Sequence, residues 1–163
     1  MTDEIEEIRQ ILNKHENRIK ALEAKYIRKM PQVAEAEEHS LEKLAEKVGT
    51  STDKLQELLD IEDNALTLLR ITGSDEGDRT KRISLVVLLS YRYVFGNDKV
   101  LSKEIRRNVA ENRIPVNNFA TYLNEMIPSL IRRIGKLKSP TTTYKLTPLG
   151  EAEAKTIVKE LCQ

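Results

Sequence analysis

The stretch Leu101 to Gly150, LSKEIRRNVAENRIPVNNFATYLNEMIPSLIRRIGKLKSPTTTYKLTPLG, decides how this chain is to be read. Ser102 stands where a helix cap belongs, and Ile105 and Val109 follow at helical spacing, so a helix is expected with Lys103, Arg106, Arg107 and Arg113 outside. Ile114-Pro115-Val116 breaks it, and Asn117 caps a second helix that buries Phe119, Leu123 and Met126 or Ile127. Asn118, Thr121, Tyr122 and Glu125 are left toward solvent, with Asn124 at an edge. Pro128 stops this helix. Leu130, Ile131 and Ile134 then enter a strand interleaved with Arg132, Arg133 and Lys136. Thr143 to Leu146 form the return strand, and Leu137 to Thr142 the tip between them.

Upstream, ISLVVLLSYRYVF within residues 79–95 is apolar on nearly all sides, which marks a central, buried helix. Gly96-Asn97-Asp98 ends it with turn residues, and Val100-Leu101 can form a short strand. Downstream, Thr147 caps a closing helix, Pro148 takes its first position, and Ala152, Ile157, Val158 and Leu161 continue inward. The segment YKLTPLGEAEA, residues 144–154, is similar to the end of the wing in MarR-like and PadR-like winged-helix regulators, where an aromatic residue, a Leu-Thr pair and a Gly lead into the last helix. The resemblance covers residues 79–161. It implies DNA binding, with a recognition helix in the major groove and the wing on phosphate or minor groove. In this chain those roles fall on Asn118, Thr121 and Tyr122 for the helix, and on Lys136, Lys138, Ser139 and Lys145 for the wing. Arg106, Arg107, Asn117, Asn124, Arg132 and Arg133 complete the expected DNA-binding set. Asn can pair with adenine through two bonds, Thr can meet a thymine methyl, and the cations match phosphates.

The other half of the chain differs in kind. Residues 1–75 hold 11 Lys/Arg against 17 Asp/Glu, and residues 76–163 hold 16 against 9, a segregation hidden by the net charge of +1. Such asymmetry is expected when one end meets a polyanion and the other does something else. Ile5, Ile8, Leu12, His15, Ile19, Leu22 and Tyr26 alternate steps of three and four, the seam of a coiled coil. Glu4 facing Arg9, and Arg18 facing Glu23, would join a parallel pair, so a homodimer through residues 5–26 is expected. Packing of this helix on its own protein is the alternative, since Ile11 widens the stripe. His15 then sets register. Next, LEKLAEKVGTSTDKLQELL, residues 41–59, resembles the helix-turn-helix of repressors, with Ala45 at the crowded contact, Gly49 in the turn and Ser51 opening the second helix. Thr52, Asp53, Gln56 and Glu57 on that helix form a surface that phosphates would repel, so a structural or partner-binding unit is expected. ALTLLRI, residues 65–71, suits a strand or a short helix, and TGSDEGD reads as a linker.

Composition narrows the function classes. With 33% charged and 39% hydrophobic residues the chain should fold, with an aliphatic core, as one ordinary domain or a small domain with an appendage. Cys162 is the single cysteine and His39 the only histidine besides His15, so neither a disulfide nor a metal site is expected. The longest apolar run, Leu85 to Leu89, is five residues, far short of a membrane span, and the acidic start MTDEIEEIRQ is no secretory signal. No phosphate loop, Cys-His pair, HExxH or nucleophile elbow is present, and Glu35, Glu37 and Glu38 lack apolar surroundings that would shift a pKa. The expected fold is therefore mostly α: a coiled-coil-like helix (1–30), an acidic connector and bihelical unit (31–72), a linker (73–78), and a winged helix with a small β-wing (79–163). The expected function is non-enzymatic and cofactor-free, sequence-specific or general binding of double-stranded DNA by a dimeric, cytoplasmic transcriptional regulator. The alternative is a protein–protein adaptor that uses the winged helix and the bihelical unit, with the acidic segment 35–63 as the partner's site.

Overall fold

The computed structural model describes residues 41–163 together with His15 and Arg18. The proposed seam residues Ile5, Ile8, Leu12, Ile19, Leu22 and Tyr26 lie outside the described residues, while His15 and Arg18 are helical and exposed. Residues 39–163 form one compact unit. Its described part is a small mixed α/β domain of six helices and two small antiparallel sheets.

The bihelical unit is present. Residues 41–48 are helical (α1), Gly49 stops the helix at φ +76, and the Gly49 and Thr50 amides both donate to the Ala45 carbonyl. Ser51 caps α2 (Thr52–Leu58), its hydroxyl accepting from the Lys54 amide. Leu41, Leu44, Ala45, Val48, Leu55 and Leu58 are buried and belong to the same core as the rest of the unit.

A hairpin follows that the sequence analysis did not anticipate. β1 (Leu59–Glu62) pairs with β2 (Ala65–Leu68), so the first four residues of ALTLLRI form a strand. The two-residue loop is Asp63-Asn64, at φ +48 and +63. Two left-handed residues make the turn whose twist matches a hairpin, and Asp and Asn tolerate that region better than other side chains.

The expected linker at 73–78 is corrected. Asp75 caps α3 (Glu76–Val94), with its carboxylate accepting from the Asp78 amide at 2.8 Å. Gly, Ser and Asp read equally as linker or as helix start, and here the cap consumes them. α3 has twelve buried residues and packs against α4, α5, α6 and both sheets. Of its buried Ser and Thr hydroxyls, Thr80 and Ser84 donate to carbonyls one turn back, at 2.7 Å each, while that of Ser90 has no hydrogen-bond partner among the described residues.

After Gly96, at φ +69, come β3 (Val100–Leu101), α4 (Ser102–Glu111), α5 (Phe119–Glu125), β4 (Ile131–Ile134), β5 (Thr143–Leu146) and α6 (Pro148–Leu161). The three strands form an antiparallel sheet in the order β3-β5-β4. Two caps differ from expectation. Leu101 rather than Ser102 holds the cap position of α4, because the Ser102 amide is drawn to the Thr142 carbonyl, 2.9 Å away. Asn118 rather than Asn117 holds that of α5 and makes no side-chain cap bond. Thr147 does cap α6, accepting from the Gly150 amide at 3.0 Å. The inward stripe of α6 is Ala154, Ile157, Val158 and Leu161, while Ala152 is exposed, a second correction that follows from the helix phase set at Pro148. Gly150 sits so close to the strand entry that a Cβ there would lie 1.9 Å from the Leu130 carbonyl oxygen.

The joint between the hairpin and α4 is polar. Asn108, fully buried on α4, accepts from the Leu68 amide at 2.7 Å and donates to the Leu66 carbonyl at 3.0 Å. Asn112, one turn on, donates to the Leu68 carbonyl at 2.8 Å. The side chains of one helix thus stand in for a third strand along β2 and satisfy groups that would be costly to bury unpaired.

Candidate nucleic-acid interface

The expected contact residues fall into three groups once the neighbours of each are seen. The first is free. Along α4, Arg106 shares an exposed stripe with Lys103, a cation outside the expected set, and in the β4–β5 hairpin with its loop Arg132, Lys136 and Lys138 are exposed; none of the five has an ion pair among the described residues. Thr121 on α5 is exposed, as are Asn118 at its cap position and Asn117 just before it. Phe119, Leu123 and Met126 fix this orientation from the opposite side, as their spacing predicts.

The second group is engaged locally but remains at the surface. Arg133 donates to the Asn124 side-chain oxygen at 3.1 Å, tying β4 to α5. Arg133 also stands opposite Tyr144 in the β4–β5 ladder. Burial pushes the Tyr144 hydroxyl up from its ordinary pKa, with the charge and hydrogen bond of Arg133 pulling the other way. Ser139 is absorbed by the tip: its amide donates to the Lys136 carbonyl, its carbonyl accepts from the Thr142 amide, and its hydroxyl meets Thr141 at 2.9 Å. Lys145 is half-buried, opposite Arg132 in the ladder, and lines a cleft of about 280 Å³ with Arg92, Asp98 and Glu151.

The third group belongs to the scaffold, which corrects two expectations. Arg107 pairs with Glu104 at 3.3 Å and Glu111 at 3.2 Å. It also donates to the Leu66 carbonyl at 2.9 Å and the Thr67 hydroxyl at 3.1 Å. Burial works against its charge, and Glu111 and Glu104 more than offset this, so the guanidinium is held charged as a clamp on the hairpin. Tyr122 is half-buried rather than projecting, with its ring beside Gly77 at the start of α3. It lines an open cleft of about 540 Å³ with Asp75, Glu76, Asp78, Lys81 and Glu125. Glu125 is bound to Lys81 at 2.5 Å. This edge of α5 is therefore acidic and would turn a phosphate backbone away.

Sequence reasoning also passed over an absence. Residues 126–150, the β4–β5 hairpin with its flanks, contain no Asp or Glu, while Arg132, Arg133, Lys136, Lys138 and Lys145 lie within them. The structure places the direct pair Arg132↔Lys145 on one face of β4–β5, where like charges opposite one another repel. Elsewhere many cations are matched: Arg82 with Glu160, Arg92 with Asp98 and Glu151, and Lys155 with Glu151. Among the described residues no group of His, Cys, Asp or Glu could hold a metal ion, and no helix is long and apolar enough to cross a membrane.

Comparison with known proteins gives no match to any family model, to any curated protein or to any solved structure.

Proposed function

We propose that this chain binds double-stranded DNA through the face made by α5, the outer stripe of α4 and the wing, and that it acts as a dimeric transcriptional regulator without enzymatic activity. The observation that carries this reading is the acid-free wing. The hairpin carries five cations and no carboxylate in 25 residues, and three of them, Arg132, Lys136 and Lys138, are exposed without an ion pair among the described residues, a surface whose self-repulsion an anionic ligand relieves. The element order supports it: α3, β3, α4, α5, β4 and β5, with the sheet order β3-β5-β4, is the arrangement of a winged helix, in which the helix before the wing reads the major groove. Asn118 and Thr121 are then the base-reading candidates, and Arg106, Arg132, Lys136 and Lys138 the phosphate contacts. The dimer rests on the heptad at residues 5–26 and is measured by sedimentation of the full chain.

The test is binding of a labelled duplex across a salt series. Four phosphate contacts would weaken affinity by about 100-fold between 50 and 200 mM salt, since each released counterion contributes to the slope. The double variant Arg132→Glu with Lys138→Glu should lose binding while its circular dichroism stays unchanged, because both side chains are exposed. Absence of duplex binding by the unaltered chain at low salt refutes the reading and leaves the adaptor.

A further inference from the structure

The tip of the wing carries an apolar side chain where a phosphate-binding loop has no use for one. Lys136 to Ser139 is a β-turn closed by the Ser139 amide on the Lys136 carbonyl, at 3.2 Å. Leu137 occupies its first corner and Lys138 its second, the latter at φ +63, the left-handed conformation that distinguishes a type II turn from the commoner type I. A second turn follows directly, closed by the Thr142 amide on the Ser139 carbonyl at 3.1 Å, with Pro140 at its first corner. The Thr142 hydroxyl returns to the Lys136 carbonyl, and the Ser139 and Thr141 hydroxyls bond each other. The tip is thus a fixed double turn. Leu137 stands out from it at 50% exposure, between two unpaired lysines, one of three large apolar side chains so exposed among the described residues.

We propose that Leu137 is a wedge, inserted from the minor groove between two base pairs of a duplex while Lys136 and Lys138 hold the phosphates on either rim. This rests on the DNA reading above and deepens it. The minor groove is about 6 Å wide, too narrow for a helix but open to a single side chain on a tight turn. An apolar wedge there partly unstacks a base step and kinks the duplex by roughly 20–90°. The energetic cost falls where stacking is weakest, so the preferred site contains a pyrimidine–purine step such as TA or CA, at a position that no hydrogen-bonding side chain reads. The charge pattern selects this occupant: an apolar tip flanked by cations, with no carboxylate nearby, matches stacked bases bordered by phosphates.

The experiment is energy transfer between dyes at the two ends of a short duplex, with the full chain, in duplexes with a central TA step or a central A-tract. Unaltered protein should raise transfer on the TA duplex and bind it several-fold more tightly than the A-tract. Leu137→Ala and Leu137→Asn should bind within about threefold on the A-tract yet leave the TA duplex straight, and Leu137→Met should restore the bend. The substitutions fall on an exposed turn corner and leave the core untouched. Binding without a bend, or a bend retained in Leu137→Ala, overturns the wedge and leaves DNA binding standing. No binding to either duplex by the unaltered chain at low salt overturns both.

Discussion

Replacing Asn108 by Ala tests whether the hairpin and the helices behind it are one folding unit. The side chain makes two bonds to β2 and one to the Glu104 carbonyl within its own helix. Truncation does not affect the three equally. The Leu66 carbonyl keeps Arg107 at 2.9 Å, and the Glu104 carbonyl loses only a supplementary donor, so these two together are worth about 1 kcal/mol. The Leu68 amide loses its acceptor in a residue that is 1% exposed. Stranding a buried donor costs about 1–3 kcal/mol, so the total is about 3 kcal/mol. For a unit of this size that corresponds to a fall in Tm of about 10–12 °C, at about 4 °C per kcal/mol. Thermal unfolding by circular dichroism gives the shift. Hydrogen exchange of the Leu66 and Leu68 amides gives the cooperativity, and one transition shared by hairpin and helices is expected. A loss below about 1 kcal/mol, against the range expected for a stranded buried donor, or a hairpin that melts apart from α3, would refute the argument.

Neighbouring arginines on α4 should separate binding from stability. Arg106→Ala should lower DNA affinity and reduce the salt slope by about one, with Tm unchanged. Arg107→Ala should do the reverse, costing about 1–2 kcal/mol through the lost clamp on Leu66 and Thr67, with the salt slope unaltered. A pH effect is expected at Glu151. Burial alone would raise its pKa, but hydrogen bonds from Lys155 and Tyr93 and the charges of Arg92 and Lys155 prevail and hold it below the ordinary value of 4.5. A carboxylate whose folded pKa is depressed contributes stability that is full above its unfolded pKa and is lost as pH falls through the folded one. Glu151→Gln should therefore lower Tm at neutral pH, and the gap to the unaltered chain should close as acid protonates the group. A gap that persists at about pH 2, below the usual range for glutamate, would show that packing and not charge is responsible.

Much of the framework was legible because its signals are local. The apolar run of α3, the three-and-four spacing of α5, the Thr147-Pro148 start of α6 and the turn at Gly49 each need only a few consecutive residues to be understood. What escaped depends on partners far along the chain. The hairpin was missed at Leu59–Glu62 because Leu-Asp-Ile-Glu, directly after a helix, is too short for its alternation to stand out from more helix, although Asp63-Asn64 between two alternating segments carried the turn signal. Without the hairpin, the contacts that set Arg107 apart from Arg106 were out of reach. The spacing Glu104, Arg107, Glu111 on one face was the available hint that Arg107 was already committed. Tyr122 escaped for a related reason, since its pocket is built by Gly77, 45 residues earlier in the chain.

The amide rail that Asn108 and Asn112 lay along β2 also bears on solubility. A two-stranded sheet has two open edges, each a template for pairing with another molecule. On one side the rail occupies the hydrogen-bonding groups, so no foreign strand can add there. On the other, β1 presents Asp60 and Glu62, both exposed, and a copy of the same strand brought alongside would meet its own negative charges. Part of the acidity of this half of the chain is thus explained without any partner, as protection of an edge strand against self-assembly. Opening the rail should expose a growth point as well as lower a melting temperature.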